Sequence, residues 1–161
     1  MAENFACVQM PGVTGDITET THAGWMRVQS VQWRGRRALS TRVGATVDRE
    51  STMPAISEME FRKENDVASG HLMQKFFTGE AMPTVVIDFI RTDQTADVYY
   101  EITLTDAIVS MFVQESSGAR PIEVFNLNFT AIECKTEQMS STGTAGNPFT
   151  TGYNLSTGQS T

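Results

Sequence analysis

The 161-residue sequence predicts a mainly β fold of antiparallel strands, arranged as a small barrel or sandwich and carrying one short helix. Three observations carry this prediction. About six runs alternate apolar and polar residues with period 2, separated by Gly, Pro and Asp turn residues. The long runs each change phase midway, as strands that bend at the corners of a barrel or sandwich must. A single stretch follows a helical period instead.

Phe5 to Met10 is the first strand, ended by Pro11-Gly12. In Trp25 to Trp33, Met26 and Val28 share one parity, and Val31 and Trp33 take the other, which predicts a bulge or bend between them. Ile56 to Arg62 places Met59 and Phe61 on one face. Thr84 to Arg91 sets Val85, Ile87 and Phe89 against Val86, Asp88 and Ile90. In Val98 to Val113, the set Val98, Tyr100, Ile102 and Leu104 gives way after Thr105-Asp106 to Ala107, Val109, Met111 and Val113. In Ile122 to Lys135, Phe125, Leu127, Phe129 and Ala131 share a face before Ile132 and Cys134 switch parity.

The helical stretch is Ser69 to Thr78, where Leu72, Met73, Phe76 and Phe77 form one apolar side expected to pack on the barrel. Ser69 suits the N-cap, Gly79 the position after the last turn, and Lys75 the negative end of the helix dipole. Two connections stand out. Arg34 to Ala55 is a long irregular loop holding Arg34, Arg36, Arg37, Arg42 and Arg49, five of the twelve basic residues. Gln138 to Thr161 contains 14 Ser, Thr or Gly in 24 residues, a polar tail expected to be flexible or to dock through Phe149, Tyr153 and Leu155. The expected division is a barrel domain at 1–137 and a partly docked tail at 138–161.

Composition excludes several classes. The length suits one domain that buries about two-thirds of its unfolded surface. A net charge of −7 argues against nucleic-acid binding, which needs surplus Lys and Arg. No apolar run approaches the ~20 residues of a membrane-spanning helix. Met1 to Met10 lacks the basic start and apolar stretch of a secretory signal, so export would need another route. Cys7 and Cys134 are too far apart in sequence for a metal motif and read as free thiols, with a disulfide possible only if their strands prove to be neighbours.

No catalytic, cofactor or metal constellation is found. His22 and His71 lack a His, Cys or carboxylate partner at ligand spacing, and His22, in a turn before a strand, suits a structural hydrogen bond. There is no nucleophile elbow, phosphate loop or dinucleotide fingerprint, and Glu58/Glu60 and Asp93/Asp97 read as solvated charges. The expectation is a protein that is not an enzyme.

Five segments, in order, resemble one family. Gly12-Val13-Thr14-Gly15-Asp16 is followed by Thr21-His22-Ala23-Gly24-Trp25 and a strand running to Trp33-Arg34-Gly35. Asp66-Val67-Ala68-Ser69 leads into the helix, although Gly70 stands where the family usually has Pro. Leu104-Thr105-Asp106-Ala107-Ile108-Val109-Ser110, Pro121-Ile122-Glu123 with its strand to Phe129, and Gly152-Tyr153-Asn154-Leu155 complete the set. Together they are similar to the haemolysin-coregulated protein family, the tail-tube subunits of bacterial type VI secretion.

The resemblance implies a ring-forming, small antiparallel β-barrel with one short amphipathic α-helix. It implies hexamers stacked head to tail into a hollow tube, assembled in the cytoplasm and secreted without a signal peptide. The implied partners are a spike protein, a contractile sheath, a baseplate and small effector proteins in the ring lumen. A stacked tube needs a loop that reaches the next ring, and Arg34, Arg36, Arg37 and Arg42 lie on the one long enough. In the family the position before Trp33 lines the pore, which assigns Gln32 to the lumen. The alternatives are a related phage-type contractile tube protein and, in a different class, a monomeric β-barrel that binds a small ligand.

Overall fold

In a computed structural model, residues 4–39, 43, 52–92, 97–137 and 146–161 are described. Arg42, Arg49 and Asp93 lie outside them. The first strands are β1 (Phe5–Gln9), β2 (Met26–Val28), β3 (Ser30–Gln32), β4 (Gly35–Arg37), β5 (Pro54–Ile56) and β6 (Met59–Glu64). The helix α1 (Ala68–Thr78) follows. Then come β7 (Met82–Arg91), β8 (Asp97–Glu115), β9 (Ile122–Asn128), β10 (Ala131–Thr136), β11 (Phe149–Asn154) and β12 (Gln159–Ser160).

Every pairing is antiparallel. β1 lies between β2 and β7, and β7 pairs with the first half of β8. The second half of β8 pairs with β9, β9 with β6, and β6 with β3. The circuit is completed inside one strand, because β2 runs into β3 through Gln29, whose N–H donates to the Arg62 carbonyl at 2.7 Å. The predicted phase change in Trp25 to Trp33 is therefore the corner at which this strand leaves β1 for β6. β8 turns the opposite corner at Asp106, a non-glycine residue with φ 49°. There its buried set passes from Ile102 and Leu104 to Ala107 and Val109. Beyond the corner the register shifts between Val109 and Met111, leaving Ser110 as the bulged residue.

Inward positions from around this circuit fill one core. Met26, Val28, Met59, Phe61, Val85, Ile87, Leu104, Phe125 and Leu127 are all buried. Phe61 and Phe125 oppose each other across β6 and β9 with rings stacked at 4.8 Å. The run read as Ile122 to Lys135 is two strands. Its parity switch is a break at Phe129–Thr130, after which β10 pairs with the first half of β8 and with β11. The described part of the polar tail docks mainly by backbone. β11 adds to β10, and Thr161 exchanges hydrogen bonds with Gly152. Tyr153 packs against the core, whereas Phe149 and Leu155 stay exposed.

The helix requires two corrections. Ser69 is not the N-cap: α1 begins at Ala68, whose N–H is taken by Asp66 Oδ1 at 2.9 Å, and Ser69 is buried in the first turn. Nor does the whole apolar side pack on the barrel. Leu72 is buried and Met73 half-buried, but Phe76 and Phe77 are 36% and 77% exposed. Four residues at this spacing span a stripe of about 140°, wider than the contact, so Phe77 falls on the far flank and Phe76 lies in the last turn. That turn ends as expected, with Gly79 at φ 65° and its N–H on the Lys75 carbonyl. No helix among the described residues is long and apolar enough to cross a membrane.

Candidate functional site

The long basic loop leaves the barrel as a two-stranded ribbon. β4 and β5 pair Gly35 with Ile56, Arg36 with Ala55 and Arg37 with Pro54. At its base the Arg34 N–H donates to Ser57 Oγ and the Ser57 N–H returns a bond to the Arg34 carbonyl, both at 2.9 Å. The Arg37 guanidinium donates to the Thr52 carbonyl. Arg34, Arg36 and Arg37 are all exposed. Among the described residues, Arg34 and Arg36 have no carboxylate partner. A ribbon that projects exposed guanidinium groups into solvent is suited to meeting acidic groups on another molecule.

Gln32 lies beside the ribbon on the outer face of β3–β6–β9. It is exposed and opposite Glu60, which in turn faces Asn126. A shallow cleft of about 320 Å³ here is lined by Gln32, Trp33, Arg34, Ser57, Glu58 and Asn126 among others. Glu58 is anchored to this wall. Ser110 Oγ donates to it at 2.7 Å, Asn128 Nδ2 at 3.2 Å and Asn126 Nδ2 at 3.4 Å. The Ser110 bond is the main reason its carboxyl lies below the usual range, with partial burial acting in the opposite direction. The β8 bulge thus aims the Ser110 hydroxyl at a carboxylate of β6's approach, forming a polar wall that does not protonate at neutral pH.

Where β6 and β9 meet the helix entry, the core contains charge. Lys63 and Glu123 are cross-strand partners, both fully buried, with Nζ 3.0 Å from Oε2. Lys63 also donates to Asp66 Oδ1 and to the Glu64 carbonyl, each at 2.8 Å, and approaches Ser69 Oγ at 3.3 Å. Glu123 accepts from Ser69 Oγ, Asn65 Nδ2 and Gln114 Nε2 at 2.8–3.0 Å. Burial alone would raise the Glu123 carboxyl; the bonds from Asn65, Lys63 and Ser69 outweigh it and hold the group below the usual range. Asp66, Ser69 and Glu123, from two of the resembling segments, therefore converge on one ammonium group. Sequence reasoning missed Lys63 at their centre. The signal was there, since Lys63 continues the inward parity of Met59 and Phe61.

His22 belongs to a strap, residues 13–25, folded over the outer face of β1 and β7. Backbone bonds from Gly15 to Gly24 and between Ile17 and Gly24–Trp25 stiffen it. Gly15 has no room for a side chain, since a Cβ there would lie 2.6 Å from Met26 Cα. The buried His22 ring bridges Glu19 Oε2 at 2.8 Å and Asp88 Oδ2 at 2.9 Å, with Trp25 edge-on at 4.7 Å. Both ring nitrogens are thereby committed to pinning the strap. The Thr21 backbone N–H, then its hydroxyl and His22, hold the Glu19 carboxyl down at about 2. Beneath the strap Cys7 is buried, and burial first, then Asp88, pushes its thiol up to about 12, far from a nucleophile's range. His71 sits exposed on α1.

Cys7 and Cys134 are both free. β7 and β8 intervene between their strands, a separation of about 14 Å at ordinary strand spacing, beyond the reach of a disulfide. A larger cleft, about 790 Å³, opens where β1–β2 diverge from the end of β6. It is lined by Phe5, Arg27, Glu64, Asp66, Tyr99 and Arg120 among others. Its walls mix both signs of charge, unlike the largely apolar lining of a small-ligand pocket.

A family model described as "Type VI secretion system effector, Hcp" matches residues 8–135. Among solved structures, one described as a type six secretion system protein superposes with a TM-score of 0.91 at 19% identity, covering 99% of this chain and 100% of that one. Hcp1 from Salmonella typhimurium superposes at 0.79 with 18% identity and full coverage of both chains. A type VI secretion system effector from Yersinia pestis does so at 0.66 with 19% identity, covering 92% and 98%. Among curated protein sequences no match is found. At such identities the superpositions establish the fold, and the family assignment rests on the match over 8–135.

Proposed function

This chain belongs to the Hcp family of type VI secretion proteins, and we propose that it is a structural, non-catalytic subunit whose hexameric rings stack into a hollow secretion tube. The observation that carries this reading is the arginine ribbon, exposed and without a carboxylate partner for Arg34 or Arg36 among the described residues, on a closed and well-packed barrel. A ring closes through heterologous contacts between unlike patches, and a tube adds a second such contact along its axis. The loop that begins and ends in this ribbon supplies the axial contact, with its Arg34, Arg36, Arg37 and Arg42 meeting carboxylates of the next ring. The tube is assembled in the cytoplasm with a spike, a contractile sheath and a baseplate, and leaves the cell with the spike.

The test is the mass of the purified protein by light scattering, with negative-stain images of the same fraction. A mass near six subunits and ring-shaped particles is expected. A monomer at every concentration, with no rings, overturns the proposal and moves the monomeric ligand-binding reading to first place. Filaments with a phage-type sheath partner would favour the related contractile tube.

Gln32 is assigned to the lumen, where the polar wall of Gln32, Glu60, Asn126 and the anchored Glu58 meets small effector proteins. Because Gln32 is exposed, Gln32→Lys leaves the fold within about 0.5 kcal/mol. Cargo co-purification is expected to fall several-fold while ring mass is unchanged. Equal cargo retention would show that Gln32 does not face the lumen.

A further inference from the structure

One row of side chains crosses the outer face of four adjacent strands and a fifth. It runs from Arg27 on β2 through Cys7 on β1, Asp88 on β7 and Glu101 on β8 to Lys135 on β10. The strap covers its middle, and Asp88 is the buried charge beneath it. The two oxygens of Asp88 have unlike surroundings. Oδ2 meets His22 Nε2 at 2.9 Å, whereas Oδ1 is buried with no hydrogen-bond partner. Glu101 stands directly opposite it on β8, on the same face of the sheet. Two ionised carboxylates have only acceptors to offer each other; a single proton between them turns the contact into a bond and supplies Oδ1 with a donor.

We infer that in the folded chain Glu101 holds a proton that it donates to Asp88 Oδ1, and that with His22 the two residues form a pH-sensitive latch holding the strap against β7 and β8.

The groups facing the pair come from every neighbouring element. β1 contributes Cys7, whose thiol lies 3.8 Å from the Asp88 carbonyl, and the strap contributes His22 and Glu19. β10 contributes Lys135 and Glu133, and Arg27 lies at the far end of the row, its guanidinium over the Phe5 ring. Burial first, and then the Asp88 charge, hold the Glu101 carboxyl above its usual range against the opposing pull of Lys135. The sign follows from that direction. A group raised by folding contributes stability that is complete below the ordinary glutamate range and is lost as pH rises through its folded value. Above that value two facing carboxylates repel across the β7–β8 ladder. Asp88 is displaced from His22, and the strap lifts from Cys7.

The deciding experiment compares urea midpoints of the full chain and Glu101→Gln from about pH 5 to about pH 9, since the glutamine amide can donate to Asp88 Oδ1 without titrating. The parent midpoint is expected to fall with rising pH relative to the variant. At the alkaline end the variant should lie above it by about 0.5 M urea. Parallel curves, or a variant less stable throughout, overturn the inference. A carboxyl-carbon NMR titration of Glu101 in the unmodified chain gives an independent readout. A midpoint above the ordinary value of about 4.3 supports the proton on Glu101, and one at or below it overturns it. For the strap, alkylation of Cys7 at about pH 8, mapped by mass spectrometry, is expected to be several-fold slower in Glu101→Gln. Equal or faster alkylation overturns the coupling of latch to strap.

Discussion

Replacing Lys63 with methionine is expected to cost about 3–5 kcal/mol of folding stability and to lower the melting temperature by about 10 °C. The volume is nearly conserved, so the loss is electrostatic. Glu123 would remain fully buried with its cation gone, and Asp66 would lose the partner that ties the helix entry to β6. The double variant Lys63→Met with Glu123→Leu is expected to recover a large part of the loss, because removing both charges of a buried pair is far less costly than removing one. Acid sensitivity provides a further check. The Glu123 carboxyl is depressed by folding, so its contribution is present above the unfolded value of about 4.3 and disappears as pH falls through the folded value. The parent should therefore lose stability more steeply than the double variant on acidification. A Lys63→Met protein within about 1 kcal/mol of the parent in urea unfolding would show that the network is not a principal support of the fold.

Charge reversal on the ribbon should produce the opposite pattern, an intact fold and a failed assembly. Arg36→Glu with Arg37→Glu is expected to abolish tube growth in negative-stain images while light scattering still reports rings. Surface substitutions of this kind alter stability by about 0.5 kcal/mol or less. A ring, however, repeats each reversed contact at every subunit, so like charges accumulate across the stacking face. Arg37 also donates to the Thr52 carbonyl, which makes Arg36→Glu alone the cleaner variant. It should weaken stacking without disturbing the ribbon. Tube growth by the parent is expected to decline with added salt, because the contact is exposed and screened over about 10 Å at 0.1 M. Tubes that form equally well after both reversals would mean that some other surface joins the rings.

Local patterns revealed much of this architecture. Alternation located the strands of the core, and each phase change marked a real structural event. Between Val28 and Val31 it is the Gln29 corner, and between Leu104 and Ala107 it is the Asp106 turn. Between Ala131 and Ile132 the switch marks a chain that had already broken at Phe129–Thr130 and changed sheets. The helix and its glycine stop were equally clear. Its start was not, because Ser69 and Asp66 compete for the same capping role. Burial of the Ser69 hydroxyl against Glu123 leaves Asp66 to take the free N–H at the start of the helix. The ribbon was visible only as a basic loop, since Gly35-Arg36-Arg37 and Pro54-Ala55-Ile56 alternate too briefly to announce a pairing.

From the order and spacing of its residues alone, the chain is a mainly β protein with one helix, an anionic surface and the segment signature of its family. These properties are local or additive, and each is set by neighbours a few positions away. The tertiary structure decided which strands close the barrel, where the arginine ribbon emerges, and which polar groups meet. Lys63 and Glu123 are 60 positions apart, His22 and Asp88 are 66 apart, and Glu58 and Ser110 are 52 apart. Alternation specifies the face on which such a residue lies. Its partner is specified only when strand register, a bulge at Ser110 and a corner at Gln29 bring distant faces together, because a shift of one residue in any ladder would turn every one of those side chains to the other side.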